Sequence, residues 1–352
     1  MIKFTNLERC YSELKEQLIP AYEEIHTSGV AIDGKYCNLA EEELKQITGR
    51  KFAKLYPSGT TAILGALIAW NIFEKNVALS NYSYVASANQ AALVNGVEFF
   101  DVDENGIIDL KQKIDHDACI PVSLYGNTVD YDEFFKHIGS KTKVIVDCAQ
   151  SLGTSYKGKP DGSFGDAAVF SFSSNKPVPT AGTHGALLWD DDTMLDIVKS
   201  TSNNGKLGRN TPITHLGING VPYELQACQI YFGLKRYKTW QARRKQIADF
   251  YTEQLMDLPV QFITANKHCD SNYHKYAITI RHRANFVAYL RENNIDAQMH
   301  YTDSFNAVLG DRETPMPMSE KLCKEVVTLP NHQWLTDSEV ETVAKTIKKY
   351  HE

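Results

Sequence analysis

Between about Lys54 and Trp189, short apolar runs alternate with segments whose apolar residues recur at helical spacing. The runs Val77–Ser80, Val97–Val102, Cys119–Leu124, Lys143–Cys148, Ala167–Phe172 and Ala186–Trp189 predict strands. Thr60–Phe73 and Val85–Val94 predict helices between them. Alternation of this kind predicts an α/β fold: a large domain with a central, mostly parallel sheet flanked by helices. The first residues, MIKFTNLERCYSELKEQL, are polar and helix-like. From Glu224 to Leu255 a helical pattern runs long enough to bridge two domains, or to be two helices. Beyond Leu258 come a strand pattern (YHKYAITI) and two helical ones (ANFVAYLRENN, DSEVETVAKTIKKY). The expected organisation is a large domain over 1–235, with its N-terminal helical segment, and a smaller α+β domain over 236–352.

Composition narrows the class without redirecting it. A chain of 352 residues, 43% hydrophobic and 23% charged, is ordinary for a soluble protein of one large domain, or a large and a small one. A net charge of -6 offers no basic face, so nucleic acid is not expected as a partner. The seven cysteines are scattered, with no CxxC pair and no metal-ligand spacing. Reduced thiols in a cytosol-like compartment are expected, with no metal, and Cys119 and Cys148 as small core residues. There is no signal-peptide h-region and no apolar run near the ~20 residues a bilayer demands. A soluble, cytoplasmic protein without a membrane partner is therefore expected.

Three weak chemical signals accompany the strands. In PSGTTAILGALIAW, Gly59 turns the chain, and Thr60 and Thr61 open an apolar helix. Free N–H groups and hydroxyls at a helix N-terminus suit a phosphate, although an ordinary Ser/Thr cap reads the same way. In KVIVDCAQ a strand ends on Asp147, at the sheet edge where ligands collect in open α/β folds. In GDAAVFSFSSNKPVP, Lys176 follows a strand and has apolar and small neighbours but no charged one. A lysine in a dry pocket has the depressed pKa that Schiff-base chemistry requires. Phosphate cradle, carboxylate and lysine together fit one ligand, pyridoxal 5′-phosphate.

At this point the chain resembles the DegT/DnrJ/EryC1/StrS family of sugar aminotransferases, which have the aspartate-aminotransferase-like fold. The segments HTSGVAIDGK, PSGTTAI, NYSYVASANQAALVNGVEFFDVD, PVSLYGN, VIVDCAQSLGTSYKGKPDGSFGDAAVFSFSSNK, LGINGVPYELQAC, ARRKQIADFY, MHY and TLPNH carry it in order. The resemblance implies that Lys176 bears the cofactor and that Asp147 pairs with its pyridine nitrogen. It implies that Gln150 bonds the ring hydroxyl, that Tyr84 stacks on the ring, and that Ser171 and the Gly59–Thr60–Thr61 turn hold the phosphate. Asn219 matches an asparagine that reaches the phosphate from a neighbouring subunit, which implies at least a homodimer with shared sites. His300 and Tyr301 would help close the sugar pocket or be structural; Asp166 reads as a turn residue.

The implied activity is transamination. L-glutamate would leave its nitrogen as pyridoxamine 5′-phosphate. A UDP- or dTDP-linked 4-keto-6-deoxyhexose would then take the nitrogen up as a 4-amino-4,6-dideoxy sugar nucleotide. A 3-keto-sugar aminotransferase of the same family and a non-catalytic cofactor-binding regulator are the alternatives. Lys176 speaks against the dehydratase branch, which has His there, and no GxGxxG follows a strand as a Rossmann oxidoreductase would require. Three departures lie near the expected substrate or partner contacts. Ser123 stands where the family has His, PVPTAGTHG puts Thr183 in an acidic position, and Val221 replaces Arg or Lys.

Overall fold

The computed structural model describes residues 1–94, 96–309 and 313–352. Its centre is a seven-stranded sheet of β1 (Phe52–Tyr56), β2 (Asn76–Ser80), β3 (Gly96–Phe100), β4 (Ala118–Ile120), β5 (Lys143–Asp147), β6 (Ala167–Ser171) and β7 (Gly185–Trp189). The spatial order is β1-β7-β6-β5-β4-β2-β3. β3, β2, β4, β5 and β6 pair in parallel, and β7 runs antiparallel to both β6 and β1. The edge strand β1 has no counterpart among the predicted strands.

Alternate residues of each strand feed two different cores. Val144 and Val146 belong to one cluster, and Ile145 to the other; Ala78 is separated in the same way from Val77 and Leu79. The first face is covered by helices α1 (Leu7–Ser28), α2 (Lys35–Thr48) and α5 (Glu224–Leu234), through Leu14, Leu18, Cys37, Leu44 and Ile230. The second is covered by α3 (Gly59–Ala69) and α4 (Ala86–Ala92), through Ala62, Ile63, Ala66, Leu67 and Ala88. Strands buried on both faces read as continuous apolar runs, which is why the sequence shows them.

One long-range contact ties this layer together. Gly34, which precedes α2, offers no side chain to cap it. The buried carboxylate of Glu224, on α5, accepts instead from the backbone N–H groups of Gly34 (3.0 Å), Tyr36 (2.9 Å) and Cys37 (2.8 Å). A negative charge there satisfies orphan donors and the positive end of the helix dipole together.

The long helical segment is two helices: after α5 the chain breaks at Lys235–Arg236 and resumes as α6 (Tyr237–Leu255). Residues 247–347 supply most of a third core around the small antiparallel sheet β8 (Gln261–Phe262), β9 (Tyr276–Thr279) and β10 (Val326–Leu329). Helices α7 (Arg283–Glu292) and α8 (Asp337–Tyr350) pack against it. The N-terminus joins this part: Ile2 bridges Ile295, Phe4 N–H donates to Asp296 (3.3 Å), and Arg9 pairs with Glu339 (2.7 Å).

All seven cysteines are free thiols, and Cys119 and Cys148 are fully buried. Among the described residues no helix is long and apolar enough to cross a membrane, and no cluster of three His, Cys, Asp or Glu is arranged for a metal.

Candidate active site

A cavity of about 510 Å³ opens at the carboxyl ends of β5 and β6. It brings together Gly59, Thr60, Tyr84, Asp147, Gln150, Ser171, Lys176, His300 and Tyr301. Two of the sequence-predicted site residues lie outside its lining, Thr61 and Asn219.

One end is the start of α3. Ser58 caps the helix in a reciprocal box: its Oγ accepts from Thr61 N–H (3.0 Å), and Thr61 Oγ1 accepts from Ser58 N–H (2.9 Å). Thr61 is thereby engaged in the cap, while the N–H groups of Gly59 and Thr60 have no preceding helical turn to bond. Across from them Ser171 Oγ lies 3.1 Å from Ser173 Oγ. The turn is held by a close backbone approach: a Cβ on Gly185 of β7 would lie 2.4 Å from Gly59 N. Thr183, just before β7, donates to Pro57 O (2.9 Å). Two N–H groups and two hydroxyls facing the cavity beside this turn suit a phosphate.

Asp147 is buried at the end of β5. Ser87 Oγ donates to its Oδ2 (2.5 Å) and Ala149 N–H to its Oδ1 (3.0 Å), which fixes the carboxylate plane. Gln150 Oε1 accepts from Tyr125 N–H (3.1 Å) and its Nε2 donates to Tyr301 OH (3.0 Å). Tyr301 lies 6.4 Å from the ring of Tyr84, and burial raises its phenol pKa far above the ordinary value.

Lys176 enters between these groups, with Nζ 6.0 Å from the centre of the Tyr84 ring. Burial lowers its pKa, and the Asp147 charge opposes that shift only in part. Asp166, by contrast, is structural: it pairs with Lys143 (2.8 Å) and accepts from Val144 N–H (2.9 Å). Asn219 is exposed, in an antiparallel bridge with Asn203 rather than a left-handed turn.

A further lysine reaches the cavity, one that no sequence motif singled out. Lys275, at the start of β9, lines the same pocket and is only 7% exposed. Its Nζ is 3.3 Å from His300 Nε2 and 4.7 Å from the Phe4 ring centre. Burial, reinforced by Lys275 and Lys176, lowers the His300 pKa to about 2, so the ring is neutral. His300 Nδ1 is 2.7 Å from Thr328 Oγ1, which itself donates to Gln298 O (3.2 Å). Nδ1 therefore carries the proton, and Nε2 is left to accept from Lys275.

The donor set fits pyridoxal 5′-phosphate: anion donors at one end, a buried carboxylate in the middle, and an amine of depressed pKa beside them.

The chain is similar to known proteins over nearly its whole length. A model of the DegT/DnrJ/EryC1/StrS aminotransferase family matches residues 12–348. The chain is 26% identical over 361 residues to UDP-2-acetamido-2-deoxy-3-oxo-D-glucuronate aminotransferase of Pseudomonas aeruginosa, covering 99% of both chains. It is 27% identical over 345 residues to UDP-4-amino-4,6-dideoxy-N-acetyl-beta-L-altrosamine transaminase of Campylobacter jejuni, covering 89% of each. The crystal structure of a DegT DnrJ EryC1 StrS aminotransferase from Brucella abortus superposes over 100% of both chains, with a TM-score of 0.93 at 23% identity.

Proposed function

Because this chain belongs to the DegT/DnrJ/EryC1/StrS aminotransferase family, we propose that it moves the amino group of L-glutamate onto a nucleotide-linked 4-keto-6-deoxyhexose, with UDP or dTDP as carrier. The observation that carries the reading is the convergence of the Lys176 amine, the Asp147 carboxylate and the open start of α3 on one cavity. Pyridoxal phosphate, when bound there, supplies an electron sink and a temporary seat for the amino nitrogen.

The chain's own residues do the rest. Gly59 and Thr60 N–H groups and Ser171 bind the phosphate. Asp147, held by Ser87 and Ala149, holds a proton on the pyridine nitrogen. Tyr84 would orient the cofactor, and Gln150, anchored to Tyr301, would bind its ring hydroxyl. Lys176 Nζ would hold the cofactor and would move the proton at the reacting carbon; its lowered pKa leaves it free to act as a base.

The reading includes a homodimer, in which Asn219 of the partner subunit completes the phosphate site. In support, Asn219 is exposed within a segment whose Leu207, Ile213 and Leu216 are 48%, 70% and 63% exposed, an apolar surface suited to a second copy.

The test is visible absorption of the cofactor-loaded protein. L-glutamate should bleach the lysine-bound band, a 4-keto-6-deoxy sugar nucleotide should restore it, and Lys176→Ala should show no such band. A band that ignores every amino donor refutes the proposal; restoration by 3-keto sugars alone moves the new amine from C4 to C3.

A further inference from the structure

Lys275 is a buried amine that the chemistry above does not use; burial and the neighbouring Lys176 charge lower its pKa well below the ordinary lysine value, so an incoming anion would restore its proton. Among the described residues its side chain forms no ion pair, and the one polar contact of Nζ is to the neutral ring of His300. Phe4 closes one side, and the Nζ faces the cavity it shares with Lys176. The neighbouring groups repeat the sign. Arg244 is buried with its donors on Asn272 O (3.0 Å), Pro177 O (3.4 Å) and Gln333 Oε1 (2.9 Å), and so meets no carboxylate. Among the described residues Asp147 is the single acid in the cavity lining, and its oxygens already accept from Ser87 and Ala149. A buried ammonium without a counter-ion costs free energy unless something brings the opposite charge.

The His300–Thr328–Gln298 chain has a fixed direction, so it aims rather than neutralises Lys275. Thr328 donates to Gln298 O, His300 Nδ1–H donates to Thr328, and one Lys275 hydrogen goes to His300 Nε2. Once an anion restores the proton, two of the three ammonium hydrogens are left for that ligand.

We propose that Lys275 binds a carboxylate of the substrate that reacts at Lys176. Resting on the transaminase reading, this names the substrate anion that the same site recognises. Two sources carry that chemistry: the α-carboxylate of the amino donor, which every amino acid brings beside its reacting carbon, or a carboxylate on the sugar ring.

The experiment uses the cofactor-loaded enzyme and Lys275→Met, which keeps an unbranched chain without charge, with Lys275→Arg as the variant that keeps the charge. Calorimetric binding of glutarate, an unreactive dicarboxylate, is read beside each half-reaction followed separately by absorbance. Loss of one charge-assisted contact predicts roughly 10- to 100-fold weaker glutarate and L-glutamate binding in Lys275→Met, largely recovered in Lys275→Arg. Limiting rates and the reaction with neutral keto-sugars should change far less. If L-glutamate is unaffected and only a keto-sugar bearing a carboxylate loses that factor, the sugar is the source. Unchanged binding of every carboxylate in Lys275→Met overturns the assignment, and so does an equal loss with neutral and carboxylated substrates. A wild-type enzyme that reacts with no amino acid refutes the transaminase reading instead, and glutarate binding still reads Lys275 in that case.

Discussion

Gly185→Ala puts one methyl group where β7 passes the start of α3. Its Cβ would lie 2.4 Å from Gly59 N, 2.5 Å from Ser58 C and 2.6 Å from Gly59 Cα. Carbon contacts settle at about 3.5–4.0 Å, so the turn must recoil by roughly 1 Å. All three contacts are backbone, which cannot rotate away as a side-chain tip can. Overpacking of this kind costs about 1–3 kcal/mol. The recoil also moves the Gly59 and Thr60 donors, each worth about 1.5–3 kcal/mol to a charged ligand. Losing the alignment of one donor weakens pyridoxal phosphate binding by roughly 10- to 100-fold. The assay is cofactor titration by visible absorption, beside thermal melting of the cofactor-free protein. Gly208→Ala is the control, because its added Cβ meets only Thr211 Cγ2, at 3.6 Å. A Gly185→Ala protein that binds cofactor and melts like the wild type would refute the claim that this close approach sets the phosphate turn.

Two further outcomes concern the frame around the site. Glu224→Gln keeps one accepting oxygen for three N–H groups and removes the charge at the start of α2; urea denaturation should show a loss of about 2–4 kcal/mol, and an unchanged midpoint would contradict the capping role. His184 and His332 have pKa values lowered by burial to about 4, and His300 to about 2, from an ordinary 6.5. Below pH 6.5 the unfolded chain takes up protons that these rings refuse in the folded state. Stability therefore rises with pH in that window and falls toward acid by about 1.4 kcal/mol per pH unit per ring. Urea melts at pH 7 and pH 5 measure this, and equal stabilities would contradict it.

The parallel strands were legible because burial on both faces makes them continuous apolar runs. β1 was not, because FAKLY carries Lys54 at its centre; that lysine is tolerable only through Asp33 and Glu41, which pair with it from the segments before and within α2. Lys176, Asp147 and the turn at Gly59 were legible through their flanking sequences, and the fold places them on one cavity. The cap made by Ser58 and Thr61 was visible in kind, yet which hydroxyl it consumes depends on side-chain rotation. Ser87 and Lys275 carried no signal. Lys275 sits in YHKYAITI, where any reader assigns a solvated lysine to a strand end; its burial comes from Phe4, some 270 positions earlier in the chain. The break at Lys235–Arg236 was equally silent, since neither Gly nor Pro stands there.

The wall beside Lys275 and His300 is thus assembled from opposite ends of the polypeptide. Phe4 lies 5.5 Å from the His300 ring, and Ile2, Phe4 and Arg9 are fastened to Ile295, Asp296 and Glu339. For anyone recombining such enzymes to exchange specificity, a single crossover near residue 236 would mismatch that wall. The first nine residues have to travel with the C-terminal part as one inheritance, separated in the gene yet shared in the pocket.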